Sequence, residues 1–265
     1  MKPRVIKVGG RPQSDPALIG ALARAHRAAL ANAQATEPAD ALIVVHGGGD
    51  EISMLQRLHG VTAEFSGGRR ITSVLDLEII RMALSGSANK RLVSALVSEQ
   101  VPAIGLSGED AGLLVATPLD PEQFGYVGVP FAVNAPLLNM LLDSHYLPII
   151  SPVSRCSEPT LSASLNVNGD DAAAAIAVAM QASELLLVSD VVGVLRDGQA
   201  LAMLAPEDAQ KLIDDGTAQG GMAAKLQAAM KALDGGVERV RISDIAAIEQ
   251  LDRGTVLTRV GSVCA

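Results

Sequence analysis

Short apolar runs, several closed by glycine, alternate along this 265-residue chain with longer stretches whose apolar residues recur every three or four positions. Residues 5–8, 41–45, 101–106, 147–151, 184–188, 237–242 and 255–258 read as strands, and the most apolar of them suit a parallel sheet covered on both faces. Residues 16–32, 50–58, 74–84, 89–99, 135–143, 172–182 and 206–214 have helical period, with Ser14 or Asp15 as a start signal for the first. A further helix follows Gly220-Gly221 and runs through Leu233. The chain opens with two strand–glycine–helix units, the pattern of a parallel α/β sheet. Residues 113–116 and 125–128 suggest a β-hairpin, and the polar stretch 60–73 a ligand-facing loop or hairpin. The expected organisation is two lobes, 1–182 and 183–265, sharing one continuous sheet.

Leu165-Asn166-Val167-Asn168-Gly169-Asp170-Asp171 breaks this regularity. If 165–170 is extended, Asn166, Asn168 and Asp170 share one face and three polar side chains converge. Asp170 or Asp171 also stands where an N-cap belongs, ahead of the alanine-rich helix 172–182. The cluster is therefore either a polar site or a helix start.

Composition narrows the classes of function. Apolar residues make up 49% and aromatics 2%, so a sizeable core must be built from Ala, Val, Leu and Ile. No apolar run reaches the roughly 18 residues that span a bilayer, and the expectation is a cytoplasmic chain without a cleaved leader. The formal charge of −8, with no basic run or stacking aromatics, argues against nucleic acid or an anionic membrane as partner. Cys156 and Cys264 are far apart and read as two reduced thiols. His26, His59 and His145 form no metal-ligand spacing with carboxylates, so no protein metal site is expected.

An acidic chain that handles an anion must concentrate positive charge locally, which makes single cations informative. Lys7 lies within an apolar strand, where an unpaired ammonium is costly, so it should face an anionic ligand or a carboxylate such as Asp170. Lys225, one turn into its helix, falls on nearly the same side as Met222. Gly9-Gly10 and Gly47-Gly48-Gly49 follow apolar strands, and such turns let backbone N–H groups approach phosphate oxygens, although neither is a P-loop or a GxGxxG. Arg69-Arg70 offers guanidinium forks for a carboxylate. His46, directly before three glycines, reads as a structural partner of that loop rather than a catalyst.

Seven motifs in order resemble the amino acid kinase family over nearly the whole chain. They are Lys7-Val8-Gly9-Gly10, His46-Gly47-Gly48-Gly49, Gly68-Arg69-Arg70-Ile71-Thr72, Gly105-Leu106-Ser107-Gly108-Glu109-Asp110, Asn166-Val167-Asn168-Gly169-Asp170, Ser189-Asp190-Val191-Val192-Gly193-Val194 and Gly220-Gly221-Met222-Ala223-Ala224-Lys225. The resemblance implies a three-layer α/β/α sandwich with a largely parallel central sheet, the first lobe binding an acyl-amino acid and the second ATP. It implies transfer of the γ-phosphoryl group of MgATP to the side-chain carboxylate of N-acetyl-L-glutamate, giving an acyl phosphate for arginine biosynthesis. By the same resemblance Lys7 and Lys225 are the catalytic cations, held by Asp170, and Gly9 and Gly10 bind phosphate. Gly47, Gly48, Arg70, Asn166 and Asn168 fall to the substrate, and Ser189, Asp190, Gly220 and Gly221 to the nucleotide. Mg²⁺ would be carried mainly by phosphates and water. The acceptor carboxylate is already ionised near neutral pH, so no general base is required.

Glu109, Ala111, Gly169 and Arg69 stand where many members have Lys, Gly, Ala and an apolar residue. These departures leave the acceptor open, since a related branch phosphorylates glutamate or aminoadipate attached to a small acidic carrier protein. A non-catalytic amino-acid or nucleotide sensor would share the fold. The sequence starts a few residues before its first strand, without the interlacing helix of arginine-inhibited hexamers, and the resemblance then implies a homodimer lacking that feedback.

Overall fold

The computed structural model describes residues 2–33, 41–66, 69–158, 160, 163–196 and 198–259, and its architecture grows from β1 (Arg4–Val8), whose Val5, Ile6 and Val8 are fully buried. Asp15 Oδ1 accepts a hydrogen bond from Ala17 N at 2.8 Å, starting α1 (Ala17–Ala33), and β2 (Leu42–His46) leads into α2 (Gly49–Leu58). These are the two strand–glycine–helix units expected. The polar stretch after α2 contains β3 (Phe65–Ser66) and β4 (Arg69–Arg70), paired antiparallel. Gly67 and Gly68 lie outside the described residues, as does Cys264.

Next, α3 (Val74–Arg81) passes through seven π-helical residues, Met82–Ala88, directly into α4 (Asn89–Ser98). The two helices expected here are one rod, because a π turn takes an extra residue and shifts the apolar stripe out of phase without ending the helix. Then come β5 (Ala103–Gly108), β6 (Leu114–Pro118), the short α5 (Pro121–Phe124), β7 (Val127–Val133), α6 (Ala135–Asp143) and β8 (Leu147–Cys156). The chain continues with β9 (Ser164–Val167), α7 (Gly169–Ala179), β10 (Glu184–Val188), β11 (Leu195–Arg196), β12 (Gln199–Ala200), β13 (Met203–Leu204) and α8 (Pro206–Asp214). Last among the described residues are α9 (Gly220–Asp234), β14 (Arg239–Ser243) and β15 (Thr255–Leu257).

The main sheet runs β13-β15-β14-β10-β1-β2-β8 and then β6-β7-β9, and its described pairings are parallel except β14–β15, β6–β7 and β8–β9. The first half of β8 lies between β2 and β5, and its second half lies between β6 and β9, which β7 joins. That end of the sheet curls on itself. Helices cover both faces: α1 and α4 pack over Ile6, Val8, Leu42, Val44 and Leu186, while α6, α7, α8 and α9 pack over Val5, Ile43, Val45, Leu185 and Leu187. Alternation along β1 therefore sends Lys7 the same way as Val5, toward α7 and α9.

One expectation is corrected. Residues 165–170 are not extended throughout, since β9 stops at Val167 and α7 begins at Gly169. Nor is the cap an aspartate: Asn168 is extended (φ −62°, ψ 132°), and its Oδ1 accepts from Asp170 N at 2.8 Å and Asp171 N at 3.4 Å.

Candidate active site

With Asn168 capping α7, the Asp170 carboxylate is left to face other elements. Lys7 Nζ, from β1, stands 3.0 Å from Asp170 Oδ1, and Lys225 Nζ, from α9, stands 3.1 Å from that oxygen and 3.3 Å from Oδ2. None of the three side chains is more than 12% exposed. Burial opposes ionisation of Asp170, but the Lys7 and Lys225 charges prevail and hold its pKa below the ordinary carboxylate range. For Lys225, burial and then repulsion from Lys7 outweigh the attraction of Asp170 and bring its pKa down to about 8. Two buried cations share one anion, and the surplus positive charge suits a second anion.

Two neighbouring glycines pack closely against the Lys7 side chain. A Cβ on Gly9 would lie 2.6 Å from Lys7 Nζ, and one on Gly169 would lie 3.1 Å from Lys7 Cε. Gly169, set apart above as a departure from the family pattern, thus lies against the lysine stem, where an alanine would call for a shift of a few tenths of an ångström.

Beside Lys7 opens a cavity of about 230 Å³, whose lining includes Lys7, Gly9, Gly10, Gly47, Gly48, Arg70, Asn166 and Asn168, all singled out from the sequence. Its apolar wall comes from Ile52, Phe65, Leu84, Val127 and Pro152. Arg70 donates to Gln56 Oε1 and to Ser53 Oγ, the latter at 3.1 Å, and its guanidinium carbon lies 4.7 Å from the Phe65 ring centroid. Asn166 Nδ2 donates to Thr72 Oγ1 at 3.0 Å, which leaves its Oδ1 for the cavity.

The nucleotide residues are placed differently. Ser189 and Asp190 line a second cavity of about 520 Å³ with Arg11, Asp15, Arg24 and Asp244, and Arg11 Nη1 stands 3.6 Å from Asp190 Oδ2. Gly220 and Gly221 open α9, where Gln219 provides no side-chain cap, and they line neither of these cavities. Only Lys225 joins α9 to the first cluster.

His46 is fully buried; its Nδ1–H donates to Gly47 O at 2.9 Å and its Nε2 accepts from Asn89 Nδ2 at 3.1 Å. Burial lowers its pKa to about 4, so it is neutral near pH 7 and ties the glycine loop to α4. Glu109 is occupied internally: Arg81 grips it in a fork, Nε to Oε2 at 3.1 Å and Nη2 to Oε1 at 2.9 Å, and Ser164 Oγ donates to Oε1. Among the described residues no group of three or more His, Cys, Asp or Glu could hold a metal ion. Sequence reasoning missed Ser53, Gln56, Asp76 and Asn89, and quoted Thr72 only within a motif, without a role. Only Asp76 carried a local signal, the Ser73-x-x-Asp76 pattern of a capping box ahead of an apolar run.

Two lysines on one carboxylate beside a glycine-lined cavity are an arrangement suited to phosphoryl transfer. Residues 2–244 match the amino acid kinase family, and the chain belongs to it. It is 42% identical over 256 residues to the acetylglutamate kinase of Chloroflexus aurantiacus, covering 96% of both chains. It is 44% identical over 202 residues to that of Bacillus subtilis, covering 76% of this chain and 77% of the relative. Among solved structures, a Streptococcus mutans protein superposes with a TM-score of 0.84 at 28% identity, covering 97% of this chain and 98% of its own. A Giardia lamblia carbamate kinase bound to AMP-PNP shares the fold, with a TM-score of 0.67 at 16% identity over 97% of this chain and 98% of that one.

Proposed function

We propose that this protein is an ATP-dependent kinase that transfers the γ-phosphoryl group to the side-chain carboxylate of N-acetyl-L-glutamate, forming an acyl phosphate for arginine biosynthesis. The observation that carries it is the meeting of Lys7 and Lys225 on Asp170, next to a cavity that also presents Arg70 and Asn166. Arg70 receives the substrate α-carboxylate, and Asn166 orients the acylamino end. Lys7, on the acceptor side, and Lys225, on the nucleotide side, neutralise charge on the transferring group, while Asp170 keeps them protonated and aimed. Backbone N–H groups of Gly9, Gly10, Gly47 and Gly48 receive the phosphoryl oxygens. Asn168 serves by placing Asp170. Ser189, Asp190, Gly220 and Gly221 are assigned to the nucleotide, which must bridge from α9 toward the end of β10.

Mg²⁺ is carried on the nucleotide phosphates and water, in keeping with a donor set that has one buried carboxylate already shared by two lysines. The same reading assigns residues 1–182 to the acceptor and 183–265 to ATP, treats the helices over both sheet faces as the outer layers of a three-layer sandwich, and takes the working form to be a cytoplasmic homodimer. Incubation with MgATP, N-acetyl-L-glutamate and hydroxylamine should yield the acyl hydroxamate, dependent on both substrates. Formation of hydroxamate only from a carrier-linked glutamate or aminoadipate, or from no acylated amino acid, would overturn the assignment.

A further inference from the structure

Behind Arg70 runs a buried polar chain. Arg70 Nη1 donates to Gln56 Oε1; Gln56, 1% exposed, donates from Nε2 to Asp76 Oδ1. Asp76 Oδ2 accepts from Ser73 N at 2.9 Å and from Ser73 Oγ at 2.6 Å, which closes the capping box of α3. The direction of this chain is forced. Arginine can only donate and an ionised aspartate can only accept, so a single orientation of the amide between them satisfies both: Nε2 toward Asp76 and Oε1 toward Arg70. Two of the five guanidinium N–H groups are thereby committed, one to Gln56 and one to Ser53, and the others remain for the cavity that Arg70 lines. Phe65 supports one face of the same group. Burial works against the Arg70 charge and Asp76 works for it. The segment 70–76 also registers Asn166, through its bond to Thr72.

Resting on the assignment of this cavity to the acceptor, we propose that Gln56 and Asp76 are positioning residues for acceptor recognition: Asp76 fixes the amide of Gln56, and Gln56 holds the Arg70 guanidinium in the attitude that receives a substrate carboxylate. Neither touches the substrate. Their effect is to set in advance the orientation that binding would otherwise have to select.

Gln56→Met removes both amide bonds at similar volume, and Asp76→Ala removes the acceptor to which the amide donates. Each should raise KM for N-acetyl-L-glutamate about tenfold or more, the worth of one charged hydrogen bond, with kcat within about threefold and KM for ATP unchanged. The double variant should be no worse than the poorer single one, because the two act in series. Ser73→Ala, which opens the same capping box from its other side, should lower Tm but leave KM for the acceptor within about twofold. An equal KM rise in Ser73→Ala, or none in Gln56→Met, would reduce the chain to helix stability and overturn the proposal. A readout independent of the acceptor is the Arg70 Nε–H order parameter by NMR, rigid in the wild type and mobile in Gln56→Met. That change in a protein with no activity on N-acetyl-L-glutamate would support the relay while removing the acceptor assignment; an equally rigid Arg70 in both would overturn the relay itself.

Discussion

Lys7 and Lys225 bind one carboxylate between them, and replacing either with methionine should show what that arrangement is for. If each ammonium meets charge that develops only during transfer, Lys7→Met and Lys225→Met should lower kcat by roughly 10²-fold or more, with a smaller change in KM for either substrate. Steady-state kinetics with turnover near normal in both variants would refute the roles. The pH dependence follows from Lys225, whose pKa in the free protein is about 8. Its useful form is the protonated one, so kcat/KM should fall as pH rises through about 8, and Lys225→Arg, which stays charged, should flatten that limb whatever its amplitude. A pH profile with the same alkaline limb in wild type and Lys225→Arg would place the titration elsewhere. At this scale Lys7 was legible, because an ammonium inside an apolar strand demands a partner. The division of labour between Asn168 and Asp170 was not. Either could cap the helix, and only the positions of β1 and α9 make the Asp170 carboxylate more valuable as an ion-pair partner than as a cap.

Among the elements, three helices end on residues that strain the backbone. Gln100 after α4, His145 after α6 and Gln181 after α7 have φ of 61°, 63° and 49°, the left-handed region in which glycine closes helices without a Cβ clash. Gln100→Gly and Gln181→Gly should each stabilise the fold by about 1 kcal/mol, read as a higher urea midpoint at unchanged m-value. A lower midpoint would mean that side-chain packing outweighs the backbone strain. Of these ends only that of α7 was misplaced: the expected stops of α4 and α6 fall within a residue of those observed, whereas the helix expected over 172–182 ends at Ala179, where without glycine nothing local announces the stop. The π segment hid in a similar way. It keeps helical hydrogen bonding while it breaks the 3.6-residue stripe, and so it looked like a gap between two helices.

For the molecule as a whole, the pole opposite the lysine cluster is held by a second buried charge group. Glu184, at the start of β10, is gripped by Arg241 at 2.6 Å and 3.1 Å, by Arg4 at 2.9 Å and by Arg239 at 2.9 Å. Arg241 is fully buried and also donates to the carbonyls of Ala247, Gln250 and Arg253. Burial would raise the Glu184 pKa, but the arginines hold it below the usual range. Glu184→Gln leaves several guanidinium groups around one neutral amide and should cost about 3–5 kcal/mol, a fall in Tm on the order of 10 °C, with the kinetic constants of the folded protein unchanged. Calorimetry showing Tm within about 2 °C of wild type would mean that solvent compensates the arginines.

The sequence by itself determined the strand–glycine–helix rhythm, the approximate span of most helices and the candidate cations, because periodicity and the cost of a buried charge are properties of a few neighbouring residues. Tertiary structure alone decided which groups meet. Placing β1 between β2 and β10, and pointing its fourth residue toward α7 and α9, brings Lys7, Asp170 and Lys225 together from three distant segments. The turn that sets Gln56 behind Arg70 is likewise a matter of strand order and helix packing, which no local pattern of residues encodes.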